Sequence, residues 1–370
     1  MKWYKKIWAY PLLLVNIAVA AVFMLCAASP LIPASQFPLI SLAGLAFPFL
    51  LAAVVAFTLF WLVFHKRYCL VSLLALAVCF ESVRDFFPIN FSRNEAPEGA
   101  LKVVSYNVLS SNFMKDKMND DNAILSYLRD SEADIICLQE CNYAILRDYA
   151  KGDNWTKRYP YRSYEQSTIG ITDTRGIVCL SRYPILHMEQ YAFEESGNAA
   201  FRYDIDWNGD TLHVFNCHLQ SYSLDDKNKG VYESIVTDPE NVLLNPKELD
   251  FSGTKTLVKK LSAAAVKRKA QADILADEVK EVAGDAIIVC GDFNDSPISY
   301  AHRKMDRLLT DAHTVNAIGP GFSYNRNHLY YRIDQMFCSD DLAPYGCKVD
   351  KSVKESDHYP IYACFSPKKG

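Results

Sequence analysis

Apolar positions follow one rule at the start of this chain and another beyond residue 100. From Ile7 to Ala28 no charged residue occurs. From Pro38 to Phe64 Leu39, Leu42, Leu45, Phe49, Leu50, Val54, Phe57, Leu59 and Trp61 leave almost no polar face. A helix rises about 1.5 Å per residue and needs roughly 20 apolar residues to cross hydrocarbon, so both runs predict spanning helices. A third run, Tyr68 to about Val83, is shorter and carries Glu81 near its end. It is expected either to cross with local thinning of the bilayer or to lie at the interface. Residues 86–99, with two Pro and mixed charge, predict an exposed linker.

Beyond the linker the apolar runs shorten and end in polar residues: Leu101 to Asn107, Asp134 to Glu140, Gly176 to Ser181, Leu212 to His218 and Ala286 to Asp292. Runs apolar on both faces predict strands of sheets covered on each side. Between them lie helical patterns, the clearest from about Lys255 to Val282, with Leu257, Leu261, Ala265, Ala272, Leu275 and Val279 at spacings of three and four. A second, about Asn122 to Arg129, follows Asp120 and Asp121 as prospective caps. Tyr222 to Gly253 is polar and lacks periodicity, which predicts a long surface excursion of the kind that shapes binding sites. The chain thus divides into a transmembrane region 1–85 (about 7–28, 38–64 and 68–83), a linker 86–99 and an α/β domain 100–368.

Charge adds orientation. Residues 1–98 carry a net +3 and residues 99–370 a net −7. Lys2, Lys5 and Lys6 precede the first run, His65, Lys66 and Arg67 follow the second, and Ser29 to Phe37 has no charge. The positive-inside rule puts both basic clusters in the cytoplasm. If the third run spans, the preferred reading, the α/β domain is extracytoplasmic on a multi-pass membrane protein; if it lies flat, the domain stays inside. The first run also fits a cleaved signal peptide ending at Cys26-Ala27-Ala28, although the second would still anchor the product. Ionisable residues are too scarce in the spans for a transporter. Of the eleven Cys none has zinc spacing; most fall in apolar runs, where a thiol packs as a small hydrophobe, and Cys338 and Cys347 bracket a loop they are able to close as a disulfide in an oxidising compartment.

The candidate chemistry sits at strand ends. Asn107, Glu140, His218, Asp292 and Asn294 fall at or just past the C-terminal end of a strand, and Asp334, Asp357 and His358 stand near short apolar runs. A single polar residue there is ordinarily a satisfied hydrogen-bonding group. Acids, amides and two histidines meeting on one edge instead offer hard oxygens for Mg²⁺ or Mn²⁺ and imidazoles for proton transfer, the needs of metal-assisted phosphoester hydrolysis.

The runs Val103-Val-Ser-Tyr-Asn107, Asp134-Ile-Ile-Cys-Leu-Gln-Glu140, Asn216-Cys-His218, Gly291-Asp292-Phe-Asn294, Arg332-Ile-Asp334 and Ser356-Asp357-His358 resemble, in order and across 101–365, those of the endonuclease/exonuclease/phosphatase superfamily. The resemblance implies a pancreatic-deoxyribonuclease-like four-layer α/β sandwich, two packed mixed β-sheets flanked by helices, and a Mg²⁺ or Mn²⁺ cofactor. It implies that Glu140, with Asn107 and Asp357, holds the metal. His358 acts as general base or clamps phosphoryl oxygens, and Asp292 and Asn294 position nucleophile and phosphate. His218 stabilises an oxygen or protonates the leaving group, and Asp334 supports the histidines. Arg202 is a further candidate phosphate contact, with a solvated strand-edge Arg as the plain alternative.

The substrate is a phosphoester: a phospholipid, a sugar phosphate or nucleic acid. The net −7 speaks against a nucleic-acid enzyme, while Lys255, Lys259, Lys260, Lys267, Arg268 and Lys269 make one helix half basic, either as a binding face or as an ordinary solvated one. Tyr324, Tyr330 and Tyr331, beside Arg326 and Arg332, are candidate stacking residues. The alternatives to a membrane-anchored phosphoesterase are an extracytoplasmic nuclease and a non-catalytic phospho-ligand-binding module. No protein partner is implied.

Overall fold

In a computed structural model, residues 8–368 are described apart from 92–94, 110–121, 153, 167–174, 194–195, 223, 225–227, 229, 232, 234–250 and 327–329. The prospective caps Asp120 and Asp121, Lys2, Lys5 and Lys6, and most of the 222–253 excursion lie outside the described residues. The first two apolar runs form α1 (Ala9–Ala28) and α2 (Phe47–Phe64), joined through a one-turn helix at Pro38–Ser41. Among the described residues these are the two helices long and apolar enough to cross a membrane. Their outward side chains are apolar as well: Leu14, Leu25, Leu59 and Val63 are each more than half exposed. The third run breaks at Cys79 into α3 (Cys69–Val78) and α4 (Phe80–Phe86). It packs back along the other two, with the buried Ser72 hydroxyl donating to Asn16 Oδ1 at 2.8 Å. An interhelical hydrogen bond of this kind is a common tie where the surroundings are apolar.

The remainder is a sandwich of two six-stranded mixed sheets. One holds β1 (Leu101–Asn107), β2 (Ile135–Asn142), β3 (Tyr161–Gln166), β4 (Arg175–Ser181), β11 (Leu342–Val349) and β12 (Ile361–Pro367), in the order β11-β12-β1-β2-β4-β3. The other holds β5 (Ile185–Ala192), β6 (Ala199–Trp207), β7 (Asp210–His218), β8 (Ala286–Asp292), β9 (Thr310–Asp311) and β10 (Asp334–Cys338), in the order β5-β6-β7-β8-β10-β9. Val103, Ile135, Cys137, Phe201, Val214 and Ile288 interdigitate between the sheets. On the outer face of the first sheet lie α5 (Ala123–Asp130) and α6 (Tyr143–Tyr149); on the second lie α7 (Phe251–Glu281) and α8 (Tyr300–Asp306). A short α9 (Ala312–Asn316) follows β9. The expected four layers are present, preceded by long apolar helices.

Each sheet has one central parallel pair, β1 with β2 and β7 with β8, so four strands deliver their C-terminal ends to the same edge. In the second pair Gly291 has φ +135° and lies so close to Cys217 that a Cβ would collide with its backbone. Beneath that edge the fully buried Gln139 amide donates to Asn216 Oδ1 at 2.7 Å and to Ser105 Oγ at 3.0 Å, tying one sheet to the other. A buried amide must be paired, and this pairing fixes the stagger of the sheets.

The helical bundle is seated on the sandwich. Gly44, in the connection between α1 and α2, lies against the Ile298 carbonyl, where a Cβ would clash. The Tyr331 hydroxyl donates to the Leu45 carbonyl at 3.0 Å, and the Arg332 guanidinium donates to the Asp85 carbonyl at 2.7 Å while pairing with Asp311 at 2.9 Å. Arg303 reaches Glu81 at 2.6 Å.

Several expectations change. The 86–99 linker is pinned where Asn90 Nδ2 donates to the carbonyls of Thr314 and Ala317 at 3.0 and 2.8 Å. The cap of α5 is Asn122, whose side chain accepts from the Ile124 and Leu125 amides. All eleven cysteines are free, Cys338 and Cys347 buried and unpaired. Arg268 leaves the expected solvated face of α7: at 1% exposure it donates to Asp295 at 2.9 Å and to the Gln220 carbonyl at 2.8 Å.

The buried charges under α9 set a pH dependence. Burial first, and then the Arg332 guanidinium, lowers the His313 pKa to about 3, so the folded protein holds this imidazole neutral. In the unfolded chain it titrates near about 6.5. The unfolded state therefore binds the extra proton, and stability falls as pH drops from about 6.5 towards about 3. His313→Gln should flatten the decline of the thermal midpoint over that interval, read on the purified full chain. Equal slopes for the two proteins would contradict the assignment.

Candidate functional site

The four parallel strand ends bring Asn107, Glu140, His218 and Asp292 together. Asn107 Nδ2 donates to Asp292 Oδ2 at 3.0 Å and lies 3.4 Å from Glu140 Oε1, bridging the sheets directly. Its Oδ1 accepts the Leu109 amide at 3.1 Å, which fixes the side chain between the two carboxylates. The register of β2 with β4 shifts between Leu138 and Cys141, and Glu140 within that irregularity has φ +50°. Asn294 has φ +51°. Left-handed backbone is uncommon for residues other than Gly and costs roughly 1–3 kcal/mol where the surroundings impose it, so strain gathers at two of the site positions.

Asn294 is held from both sides. Its amide N–H donates to Asp292 Oδ1 at 2.8 Å, and its side chain donates to the Leu219 carbonyl at 2.9 Å. Directly after it, Asp295 is fixed by Arg268, which also stacks 4.1 Å from the centroid of the Tyr222 ring. Gln220 and Tyr222 are supports that the sequence does not announce, and Arg268, expected on a basic helix face, is a third. The one available signal was that position 268 falls on the apolar stripe of α7, three residues after Ala265 and four before Ala272.

His358 comes from the loop before β12. The Ser356 hydroxyl donates to the Asn107 carbonyl at 2.7 Å and accepts the His358 amide at 3.1 Å. Asp334, opposite Asp292 in the β10–β8 pairing, meets His358 Nδ1 at 2.8 Å through Oδ2. His358 Nε2 then faces Asp292 Oδ2 at 3.7 Å. Ligand atoms of Asp292, Asp334 and His358 all lie within 4.8 Å of one another, an acidic and imidazole cluster able to hold a cation. His218 Nε2, buried and without a hydrogen-bond partner among the described residues, lies 3.6 Å from Glu140 and 3.7 Å from Asp292. Asp357 joins Glu140, Asp292, Asn294 and His358 along a cleft of about 220 Å³.

Electrostatics separate the two buried partners. Burial is the largest influence on Asp292 and raises its pKa to about 6; His358 opposes this, and the Asp334 charge adds to it. Burial disfavours the His358 imidazolium, but the charges of Asp334 and Asp292 outweigh it and hold the pKa well above the ordinary histidine value. The two shifts are reciprocal: burial raises the Asp292 carboxyl, and the carboxylates beside His358 raise its imidazole.

Arg202 is not part of this cleft. Its guanidinium, 13% exposed, pairs with Glu189 and Asp204, each at 3.0 Å, and reaches Tyr191 Oη at 3.1 Å. Its donors are met by groups on the β5–β6 surface, away from the residues that line the cleft.

A family model described as the Endonuclease/Exonuclease/phosphatase family matches residues 104–358, and a domain of unknown function (DUF8431) matches residues 6–86. No curated protein matches the chain. Among solved structures, the human Nocturnin catalytic domain with bound sulfate anion is similar at 14% identity and a TM-score of 0.52, over 76% of this chain and 99% of that one. An endonuclease/exonuclease/phosphatase from Beutenbergia cavernae is similar at 16% identity and a TM-score of 0.50, over 72% and 71%. D. rerio TDP2 complexed with single strand DNA product is similar at 16% identity and a TM-score of 0.49, over 73% and 100%. At these identities the first two speak for the fold alone. The family match spans more than half of the sequence and contains every strand end that builds the cleft: the chain belongs to the Endonuclease/Exonuclease/phosphatase family.

Proposed function

We propose that this chain is a membrane-anchored, divalent-metal-dependent phosphoesterase that hydrolyses its substrate by attack of water at phosphorus. The observation that carries the reading is the convergence, out of water, of Asp292, Asp334 and His358 within ligand reach, next to Glu140 and His218. Such a cluster is costly to bury unless its charges serve one another or a ligand. The donor set suits a hard cation: carboxylate oxygens of Glu140 and Asp357 line the cleft, and Asp334 Oδ1 is buried without a hydrogen-bond partner among the described residues. Glu140 and Asp357, with Asn107 beside Glu140, would hold Mg²⁺ or Mn²⁺, which would neutralise the phosphoryl charge.

The protein groups do the remaining work. Asp292, with a pKa near 6, is matched to neutral pH as the base that takes the proton of the attacking water. The Asn294 amide and Asn107 orient its two oxygens. His358, kept charged and aimed by Asp334, presents Nε2 to a phosphoryl oxygen, which favours the clamp over the base among its two expected roles. His218 Nε2 is placed to stabilise a second oxygen or to protonate the departing alkoxide. The oxygen of water bonds to phosphorus, the ester P–O bond breaks, and the alcohol leaves with the proton.

The anchor reading rests on the exposed apolar surface of α1 and α2: the apolar windows are only 28% and 22% buried, unlike core helices of a soluble protein. A second reading, an extracytoplasmic nuclease acting on DNA or RNA, uses the same machinery. The Tyr324 ring along the cleft favours it, because aromatic faces stack on bases.

Glu140→Gln and His358→Ala should each lower turnover of an aryl phosphodiester by roughly 10²- to 10⁴-fold, with the thermal midpoint little changed by the first and lowered by the second, which strips Asp292 and Asp334 of their buried partner. A chelator should abolish activity of the wild-type chain, and Mg²⁺ or Mn²⁺ should restore it. Folded variants with full metal-dependent activity would refute the site. A reporter fused after Gly370 should be active only outside the cytoplasm; activity confined to the inside would reverse the topology.

A further inference from the structure

The cleft and the apolar helices share a wall. Tyr331 lines the cleft, is 7% exposed and donates its hydroxyl to the carbonyl of Leu45. Leu45 belongs to the 27-residue apolar stretch Pro38–Phe64, so one side chain separates the reactive groups from a candidate membrane span. The same strand of connectivity repeats nearby. Phe322 packs into the cluster of Phe23, Phe47 and Phe86, with its ring 6.4 Å from that of Phe86, and two residues later the Tyr324 ring meets His358 edge-on at 5.3 Å. Ile298, against which Gly44 is seated, follows Asn294 by four positions.

The surface around this wall is apolar. The connection that carries Leu45 also exposes Leu31, Phe37 and Leu39 by 56%, 54% and 66%, and Tyr330, beside Tyr331, is half exposed. Tyrosines bordering an apolar belt are characteristic of the level where lipid head groups begin. The cleft itself is lined by Ser221, Leu224, Ile333 and the three tyrosines besides the reactive groups; no Lys or Arg is among its described lining residues, and the exposed Arg175 stands 3.9 Å from Glu140 at its edge. A nucleic acid presents a row of phosphates, and its binding proteins neutralise several of them with basic side chains. A head group presents one or two phosphoryl groups, with the bilayer itself holding the apolar remainder.

Resting on the phosphoesterase reading, we infer that the substrate is a lipid-borne phosphoester, presented to the cleft from the membrane in which α1 and α2 sit. The P–O bond cleaved lies at head-group level, water supplies the new oxygen, and one product stays in the bilayer while the other leaves it; which ester oxygen departs decides which of the two keeps the phosphoryl group. Anchoring converts the encounter into a two-dimensional one with a high local concentration of substrate.

The full chain, purified and reconstituted with Mg²⁺ into vesicles of phosphatidylethanolamine, phosphatidylglycerol and phosphatidic acid, tests this by release of phosphorus-containing or lipid products. A water-soluble aryl phosphodiester and single-stranded DNA serve as parallel substrates, and His358→Ala as the control for each. The expected result is turnover of at least one vesicle lipid, with kcat/KM at least ~10²-fold above that for the same head group on a short-chain, water-soluble analogue. Turnover of the aryl phosphodiester without turnover of any vesicle lipid would overturn the inference and leave the phosphoesterase reading standing. Preference for DNA over every lipid would overturn it in favour of the nuclease. Absence of any metal-dependent turnover, the aryl phosphodiester included, would sink both.

Discussion

Two carboxylates and an imidazole kept out of water within reach of one another are the constraint around which this cleft is organised. Asp292 and Asp334 are each about 1% exposed or less, and His358 only 5%. Left alone, each would be expensive to desolvate. Together they settle into an imidazolium between two acids, with Asn107, Ser323 and Ser356 supplying the remaining hydrogen bonds around them. Such a cluster requires partners from both sheets, because Asn107 and His358 arrive from one and Asp292 and Asp334 from the other. The Gln139–Asn216 bond beneath is what keeps the two halves in step.

The position of the cluster follows from strand polarity. Parallel pairs at the centre of each sheet end on the same edge, and the backbone there is bent to purpose: Gly291 permits the close approach of β7 and β8, while Glu140 and Asn294 are held in left-handed conformations. Ligands of sheet proteins commonly bind beyond the carboxyl ends of strands, where loops leave the hydrogen-bonded ladder and side chains are free to turn inward. The supports lie one layer further out. Arg268 on α7 holds Asp295, and Arg332 ties Asp311 to the backbone of α4. The second of these links the helical bundle to the residue two positions before Asp334, so the seat of the bundle and the aim of His358 are mechanically continuous.

Much of the architecture was legible in the chain because its signals are local. The charge-free runs set α1 and α2, the buried strands announced themselves as apolar blocks, and α7 followed from spacings of three and four. Elements with mixed surfaces were not legible: β5 is mostly half-exposed or exposed, β6 alternates buried residues with half-exposed charges, and β11 carries Pro and Gly. Their strand character comes from pairing with neighbours and not from their own composition. The third apolar run was ambiguous for the same reason, since its break at Cys79 and its packing on α1 and α2 are contacts between distant segments.

By itself, then, the sequence determined which residue types were available for chemistry and that they stood at strand ends, because period and strand termination are written in neighbouring residues. Tertiary structure decided which of them share a cleft. Arg202 and Arg268 look alike in sequence, yet one is spent on carboxylates of the β5–β6 surface and the other braces the loop after Asn294. Likewise the seating of Leu45 against Tyr331 joins positions 286 residues apart. Distances and desolvation are set by how the sheets and helices pack, and no local pattern encodes a neighbour that far along the chain.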